Sequence, residues 1–129
     1  MSDEEELRSC WRDVRATPHA RTYRGVRSIR TGTCEVKVVV GKARPKNLPK
    51  CLNVMRHSPT GFEWGYSGSG PAQLALALLV DALGDRDRAV KLHQAYKARV
   101  VGVLPQNEWT LTQIEILEVV KQLEDRLPG

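Results

Sequence analysis

Alternating hydrophobic and polar positions predict β-strands in the first half of the chain. The clearest strand is 34–40, where Cys or Val occupies the even positions and Glu35 and Lys37 lie between them. Turn residues at 30–33 precede it, so an extended segment before the turn would form a hairpin with it. We therefore predict a small antiparallel β-sheet of three to four strands, at 21–29, 34–40 and 51–57, with 62–65 as an optional fourth.

A long apolar segment from Pro71 to Leu83 predicts the central helix. Between these residues only Gln73 and Asp81 are polar, and a helix that is apolar nearly all round must be covered on most sides. Pro71 suits the first helical position because its missing N–H would have no partner there. Gly84 suits the left-handed residue after the last turn. We expect the other elements to pack on this helix.

Capping signals and hydrophobic periodicity predict three further helices. Asp85 can cap a helix at 86–98, and Thr112 and Glu115 have the spacing of a capping box before a helix at 113–127. A short amphipathic helix at 3–15 would carry an apolar stripe of Leu7, Cys10, Trp11 and Val14. Because the strands precede the helices along the chain, the pattern indicates an α+β fold.

Length and composition are typical of one cytoplasmic domain. The 129 residues are enough to bury a core without a metal or disulfides, and we assign 21–129 to this domain and 1–20 to an N-terminal helical extension. The three cysteines lack CxxC spacing, which predicts free thiols in a reducing compartment. The acidic start is unlike a signal peptide, and no apolar run is long enough to cross a membrane.

The glycine-rich loop before the central helix is the first candidate ligand site. Glycines let successive N–H groups point into one concavity, and a helix start adds partial positive charge, so the loop could bind a phosphate or carboxylate. It matches neither the P-loop nor the dinucleotide-binding fingerprint. The predicted contacts to an anionic, nucleotide-like ligand are Trp64, Tyr66, Ser67, Gly68, Ser69, Gly70 and Gln73. The alternative is a tight turn with the aromatic residues in the core.

Positive charge is concentrated in the first half of the chain, although the net charge is only +5. Residues 12–50 hold eleven Lys and Arg against two acidic residues. Arginine recurs at every third position from Arg21 to Arg30. On a strand these arginines would point to both faces, so both faces cannot be buried in the core, and we predict an edge strand. The predicted contacts to nucleic acid or to a protein partner are Arg21, Arg24, Arg27, Arg30, Lys42, Arg44 and Lys46. The alternatives are a solvated face and charge that protects a sheet edge from aggregation.

The sequence contains no recognisable catalytic or metal-binding arrangement. His19, His57 and His93 lie in different predicted elements and lack ligand spacing. Glu63 is a single carboxylate beside the glycine-rich loop, and we interpret it as a partner of turn N–H groups rather than a general base. We therefore expect a protein that is not an enzyme and that uses no metal or cofactor.

The run from His57 to Leu79, HSPTGFEWGYSGSGPAQLALALL, resembles the signature of a small uncharacterised domain family found mainly in phages, prophages and plasmids of bacteria. The resemblance extends from about Arg21, through Tyr23-Arg24-Gly25 and Trp109, to the C-terminal helix. The first twenty residues are not part of it. The resemblance implies an intracellular protein of a mobile element, and it brings no established activity.

Three functions fit these features. The first is a binding protein that captures a nucleotide-like anion at the glycine-rich loop, for example to counter a host defence. The second is a nucleic-acid-binding accessory protein that uses the basic segment 21–50. The third is an inhibitor of a host or defence enzyme that uses the N-terminal helix and the basic face. The sequence leaves the oligomeric state open.

Overall fold

The computed structural model describes residues 21–58 and 61–126. In chain order, these residues form strands β1 (Arg21–Arg27), β2 (Cys34–Val40) and β3 (Lys46–Asn47), helices α1 (Ser69–Leu83) and α2 (Arg86–Arg99), a 3-10 helix (Val101–Val103), strand β4 (Glu108–Thr112) and helix α3 (Gln113–Arg126). The predicted α+β fold is confirmed. The predicted helix 3–15 lies outside the described residues.

The sheet has four antiparallel strands in the order β3-β2-β1-β4. β1 lies between two partners, since Arg24 pairs with Lys37 of β2 on one side and with Thr110 of β4 on the other. The prediction that the arginine-rich strand lies at an edge is therefore wrong. β3, which belongs to the predicted loop 41–50, forms one edge, and β4 forms the other.

The predicted strand 51–57 is a turn. Cys51 has a φ of 59°, and its carbonyl accepts hydrogen bonds from the N–H groups of Val54 and Met55. A left-handed residue followed by such bonds reverses the chain instead of extending it. The hydrophobic residues of this segment pack against the core from a loop.

The predicted strand 62–65 is also outside the sheet. Phe62 and Trp64 are buried and Glu63 is partly exposed, which reproduces the alternation of a strand. Its contacts nevertheless differ from those of a ladder, since the Gly65 N–H donates to the Val101 carbonyl of the 3-10 helix, at 3.0 Å. The fourth strand is instead β4, which the hydrophobic pattern did not reveal.

One face of the sheet is packed against helices and the other is open. Tyr23, Val36 and Trp109 point into the core, and the Tyr23 hydroxyl donates to Asp81 of α1 at 2.6 Å. Gly25 lies directly under Trp109, because a Cβ at this position would overlap the indole ring. Alternate residues on β1, β2 and β4 point away from the helices and form the open face.

The helices begin and end close to the predicted positions. α1 starts at Ser69, two residues before Pro71, and is followed by Gly84 with a φ of 64°, as expected for a left-handed stop. Asp85 accepts a hydrogen bond from the Arg88 N–H at the start of α2. Each helix that the structure describes is too short or too polar to span a lipid bilayer.

The start of α3 confirms the predicted capping box. The Thr112 hydroxyl accepts a hydrogen bond from the Glu115 N–H at 3.2 Å, and the Glu115 carboxylate accepts one from the Thr112 N–H at 2.8 Å. Because Thr112 is also the last residue of β4, the chain passes from the sheet edge into α3 without a loop. α3 then packs against α1 and α2.

Candidate functional site

The glycine-rich loop is shaped mainly by close packing. Gly68 is the residue before α1 and has a φ of 175°, an extended conformation that any residue adopts. A Cβ at Gly68 would lie 2.8 Å from the Tyr66 ring, and a Cβ at Gly70 would lie 2.6 Å from the Cβ of Glu63. The glycines therefore allow the loop to lie tightly against its neighbours. This agrees with the interpretation of the loop as a tight turn.

Trp64, one of the predicted ligand contacts, lies in the core, as the alternative interpretation of the aromatic residues expects. Its side chain is fully buried, and its indole N–H donates to the Gln106 carbonyl at 3.0 Å. The ring packs edge-on against Trp109, with 5.4 Å between ring centroids. No surface of this ring is available for stacking on a ligand. The alternative interpretation of the aromatic residues as core residues is correct for Phe62 and Trp64.

Gln73 is also fully buried, and its amide is saturated. Its oxygen accepts from the N–H groups of His57 (2.6 Å) and Ser58 (3.0 Å). Its nitrogen donates to the carbonyls of Lys50 (2.6 Å) and Met55 (3.0 Å). In this arrangement the amide of Gln73, which we predicted as a ligand contact, has no donor or acceptor left for a ligand. Gln73 instead fixes the segment 50–58 to α1.

A cavity of about 370 Å³ remains beside the loop. Its walls include Cys34, Glu63, Tyr66 and Ser69, and the Tyr66 side chain is 48% exposed. Within the described residues, the N–H groups of 68–70 have no hydrogen-bond partner. Ser67 and Ser69 are exposed. The cavity has the size and the polar groups to accept a small polar ligand at the start of α1, and the predicted residues at this place are Tyr66, Ser69 and Gly70.

The electrostatics of this cavity are set by an ion pair. Arg27 Nη2 lies 2.7 Å from Glu63 Oε1, and the guanidinium lies over the Trp64 ring at 5.2 Å from its centroid. The hydrogen bond from Arg27 is the main cause that lowers the pKa of Glu63. Glu63 is thus paired with Arg27, and a hydrogen bond from the Trp64 backbone also helps to lower its pKa. A carboxylate without a raised pKa is also poorly suited to act as a general base at neutral pH.

Both described cysteines are free thiols, as predicted. Burial, followed by the nearby Glu63, raises the pKa of Cys34 to about 11, and burial also raises the pKa of Cys51. Because the thiolate is the reactive form, neither residue is activated as a nucleophile. Cys10 lies outside the described residues.

The arginines of β1 are engaged within the fold. Arg21 lies 3.1 Å from Asp81 of α1, and Arg24 lies 2.7 Å from Glu108 of β4. Arg27 pairs with Glu63 and also donates to the Gln106 carbonyl. These three predicted contacts to a partner therefore join β1 to neighbouring elements. Arg30 lies exposed in the turn between β1 and β2.

The other three predicted cations, Lys42, Arg44 and Lys46, lie in the loop before β3 and in β3 itself. Two further cations, Lys50 and Arg56, lie in the segment after β3. We define the basic edge as the exposed cations of the loop before β3, of β3 itself and of the segment after it: Lys42, Arg44, Lys46, Lys50 and Arg56. Among the described residues, no carboxylate pairs with any of them. No Asp or Glu occurs from residue 36 to residue 62. The Gln73 amide donates to the carbonyls of both Lys50 and Met55, so the backbone of Lys50 lies close to that of Met55, the residue before Arg56.

Near the end of the segment 50–58, His57 contacts His93 of α2. His57 Nε2 and His93 Nε2 are 2.8 Å apart, and His93 Nδ1 lies 2.6 Å from the Val90 carbonyl. His93 Nδ1 must therefore carry the proton, so His93 Nε2 accepts and His57 Nε2 donates. Burial, followed by the nearby His93 and Lys97, lowers the pKa of His57. No local pattern indicates this pair, because the two residues are 36 positions apart.

No curated protein and no solved structure matches this chain. A family model does match, over residues 23–122. The matched range contains the whole sheet except the first two residues of β1, the glycine-rich loop and the basic edge. The chain therefore belongs to a family of unknown function (DUF6166).

Proposed function

We propose that the protein is a non-enzymatic binding protein whose basic edge binds the phosphate backbone of nucleic acid. The observation that carries this proposal is the set of five exposed cations without a carboxylate partner among the described residues, in a stretch of 27 residues free of acids. Charges that are not neutralised within the fold remain available to a polyanion.

The shape of the basic edge favours a repeating anion over a single phosphate. Its cations are distributed over a loop, an edge strand and a turn rather than around one cavity. Phosphates spaced along a nucleic acid backbone can contact such a row, and each contact releases condensed counterions. Residues 41–58 contain no Phe, Tyr or Trp, so the edge offers no aromatic stacking to bases. We therefore expect binding with little sequence preference.

The test is the salt dependence of binding to a fluorescent duplex of about 20 base pairs. Five phosphate contacts predict a slope of about −4.5 for the logarithm of the binding constant against that of salt concentration. Replacement of Lys42, Lys46 and Lys50 by Gln should reduce the slope to about −2 and weaken binding.

A matched control replaces three exposed cations of the helices, Arg86, Lys91 and Lys121, by Gln. This variant has the same net charge as the first, so it corrects for general electrostatic attraction. Its slope should stay close to that of the unchanged protein. Equal slopes for the two variants, or no binding by the unchanged protein at roughly 50 mM salt, would contradict the proposal.

A second candidate is the capture of a small anion, such as a nucleotide, in the cavity beside the glycine-rich loop. It is favoured by the unpartnered N–H groups of 68–70 and by the half-exposed Tyr66 ring at the cavity wall. A thermal-shift screen with nucleotides should then raise the melting temperature, and Ser69→Ala should weaken binding by about 1 kcal/mol, the value of one hydrogen bond. Retained nucleotide affinity in the Lys42, Lys46 and Lys50 variant would assign the ligand to the loop.

The resemblance of the central run to a domain family of phages and plasmids supports a role for the protein in a mobile element inside a bacterial host. Binding of nucleic acid or of a nucleotide signal there would oppose a host defence. Inhibition of a defence enzyme through the same basic face is the alternative within this setting. Phage plating on host cells that express the protein or its basic-edge variant would test the role.

A further inference from the structure

We propose that the outer edge of β4 is an interface between two copies of this chain, which pair their β4 strands antiparallel across a two-fold axis. The two four-stranded sheets would then form one continuous sheet of eight strands. The interface is a property of the protein alone and goes beyond the proposed binding of nucleic acid.

The backbone groups of β4 alternate between β1 and the outside of the sheet. The Arg27 N–H donates to the Asn107 carbonyl at 2.8 Å, and this pair continues the register of β1 and β4. In an antiparallel ladder every second residue exchanges hydrogen bonds with the neighbouring strand, so every second residue from Asn107 onward bonds to β1. The N–H and carbonyl groups of Glu108 and Thr110 therefore point away from β1.

These outward groups, which we name the β4 edge, are exposed to a partner. Glu108 and Thr110 are exposed residues, and their N–H and carbonyl groups have no hydrogen-bond partner within the described residues. The backbone on either side is already used, since the Gln106 carbonyl accepts from the Trp64 indole and the Thr112 N–H belongs to the capping box of α3. Each copy therefore offers two donors and two acceptors.

The β4 edge is complementary to the β4 edge of a second copy. Antiparallel pairing with Trp109 opposite Trp109 of the second copy places Glu108 opposite Thr110, and each such pair exchanges two hydrogen bonds. All eight groups are then satisfied by four hydrogen bonds. An axis centred on Thr110 would instead place Glu108 opposite Thr112, whose N–H already donates to a carboxylate. The free backbone groups therefore determine the register of the two strands.

The β4 edge also lacks the devices that keep an edge strand from pairing. The other edge of the sheet carries Lys46 in β3 with Pro45 before it, and both residue types discourage association of edges. β4 contains no Lys, Arg or Pro, and its ladder with β1 runs without a bulge. Because the chain has a net charge of +5, two copies also meet with less repulsion here than at the basic edge.

Charge complementarity across the junction selects a second copy as the occupant. On the open face, Arg24 faces Thr110 within the chain, and Thr110 would face Glu108 of the second copy. Arg24 and that Glu108 are two strands apart, about 10 Å, with only a short threonine side chain between them. The same row recurs on the other side of the two-fold axis. The junction therefore holds two arginines and two glutamates, with opposite charges facing each other.

The dimer would carry its two basic edges at opposite ends of the eight-stranded sheet. They would be seven strand spacings apart, which is about 34 Å. Two linked binding surfaces increase the avidity for a partner that is long enough to contact both. This consequence rests on the proposed function, whereas the interface does not.

The test changes one backbone group of the β4 edge and leaves the ladder with β1 intact. Thr110→Pro removes an N–H that points outward, and proline is tolerated at such a position of an edge strand. Thr110→Val keeps the N–H and is the matched control. Sedimentation equilibrium of the full-length proteins measures the dimer dissociation constant. Thr110→Pro loses two of the four hydrogen bonds, each worth about tenfold, so its constant should be about 100-fold higher than that of the control.

Amide hydrogen exchange gives a second readout that needs no substitution, and it decides the matter even if Thr110→Pro does not fold. In the unchanged protein at high concentration, the N–H groups of Glu108 and Thr110 should be protected from exchange, and dilution should remove this protection. The N–H groups of Trp109 and Leu111, which bond to β1, should stay protected at both concentrations. They serve as the internal control.

A protein that is monomeric at every concentration would overturn the inference. This holds even if the Glu108 and Thr110 amides are protected, because another part of the chain would then cover the edge. Equal dissociation constants for the Pro and Val variants would overturn it as well, because the copies would then meet at another surface. A dimer that behaves as expected but binds no duplex would support the interface and reject the proposed function alone.

Discussion

The cations of β1 and those of the basic edge differ in what surrounds them. Each arginine of β1 has a carboxylate partner that is distant in sequence: Arg21 with Asp81, Arg24 with Glu108 and Arg27 with Glu63. The basic edge has no such partner among the described residues. The difference shows that a basic stretch of sequence can hold two kinds of cation, those paired with carboxylates within the fold and those without such a partner among the described residues.

The part of the basic edge after β3 is held in position by a neutral residue. Gln73 accepts two hydrogen bonds from and donates two to the backbone of the segment 50–58. An amide can satisfy four backbone groups without neutralising a nearby cation. The segment is thus fixed to α1 without an ion pair to Lys50 or Arg56 among the described residues. The following predictions test whether the two regions differ in this way.

The largest effect is expected for Gln73→Leu. The substitution leaves two N–H groups and two carbonyls of a packed segment without partners, and it should lower the free energy of unfolding by about 3–5 kcal/mol. Urea-induced unfolding measures this loss. Gln94→Leu, at an exposed position of α2, is the control and should change the free energy by less than about 0.5 kcal/mol. A loss below about 1 kcal/mol in Gln73→Leu would show that the segment 50–58 is held by other contacts.

A smaller effect separates the paired arginines from the free ones. Arg27→Met removes hydrogen bonds to Glu63 and to the Gln106 carbonyl and leaves a partly buried carboxylate unpaired. We expect a loss of about 2 kcal/mol in the free energy of unfolding. Arg44→Met in the basic edge should cost less than about 0.5 kcal/mol. Equal losses in the two variants would mean that the basic edge is also structural, and the comparison would fail.

The smallest effect concerns pH and the histidine pair. The pKa of His57 is lowered in the folded protein, so the unfolded chain takes up this proton first as the pH falls below about 6.5. The contribution of His57 to stability is therefore present above that pH and is lost as the pH falls through the folded pKa. Urea unfolding at about pH 7 and about pH 5.5 should show lower stability at the lower pH.

His57→Gln is the matched variant for this measurement. Its side-chain amide can still donate to His93 Nε2 but cannot titrate, so the decrease in stability with falling pH should become smaller. The pKa of Glu63 and that of Glu124 are lowered by their arginine partners, so these carboxylates lose their contribution only at lower pH. A decrease of unchanged size in His57→Gln would assign it to other groups.

Much of the fold could be predicted from local patterns. The apolar run from Pro71 to Leu83 and the capping residues before α2 and α3 act within a few positions, so the helices were found with small errors at their ends. The β1–β2 hairpin was found for the same reason. β4 was missed because it is a strand of only five residues whose main contact is distant in sequence. Trp109 of β4 packs over Gly25 of β1, and any side chain at position 25 would overlap the indole ring.

The candidate site was harder to predict, because its residues are defined by partners elsewhere in the chain. Gln73 looked like a ligand contact beside a glycine-rich loop, but its partners lie 15 to 23 positions earlier, in a loop without regular structure. Arg21, Arg24 and Arg27 looked free because their carboxylates come from α1, from β4 and from the segment between β3 and α1. Lys42, Arg44 and Lys46 are exposed, and their predicted contact to nucleic acid or a partner stays a prediction.

The position of β1 in the centre of the sheet has a consequence for synthesis of the chain. β1 can pair with β2 as soon as the hairpin has been made, but Glu108 of β4 follows Arg24 by 84 residues. At about 5–20 residues per second, the ribosome needs about 4–17 seconds to supply the second partner. During this interval β1 is an edge strand, and unpaired edges invite association with other chains. At that stage Arg24 has no Glu108 to pair with. We expect its positive charge to disfavour pairing of the nascent hairpin with other chains.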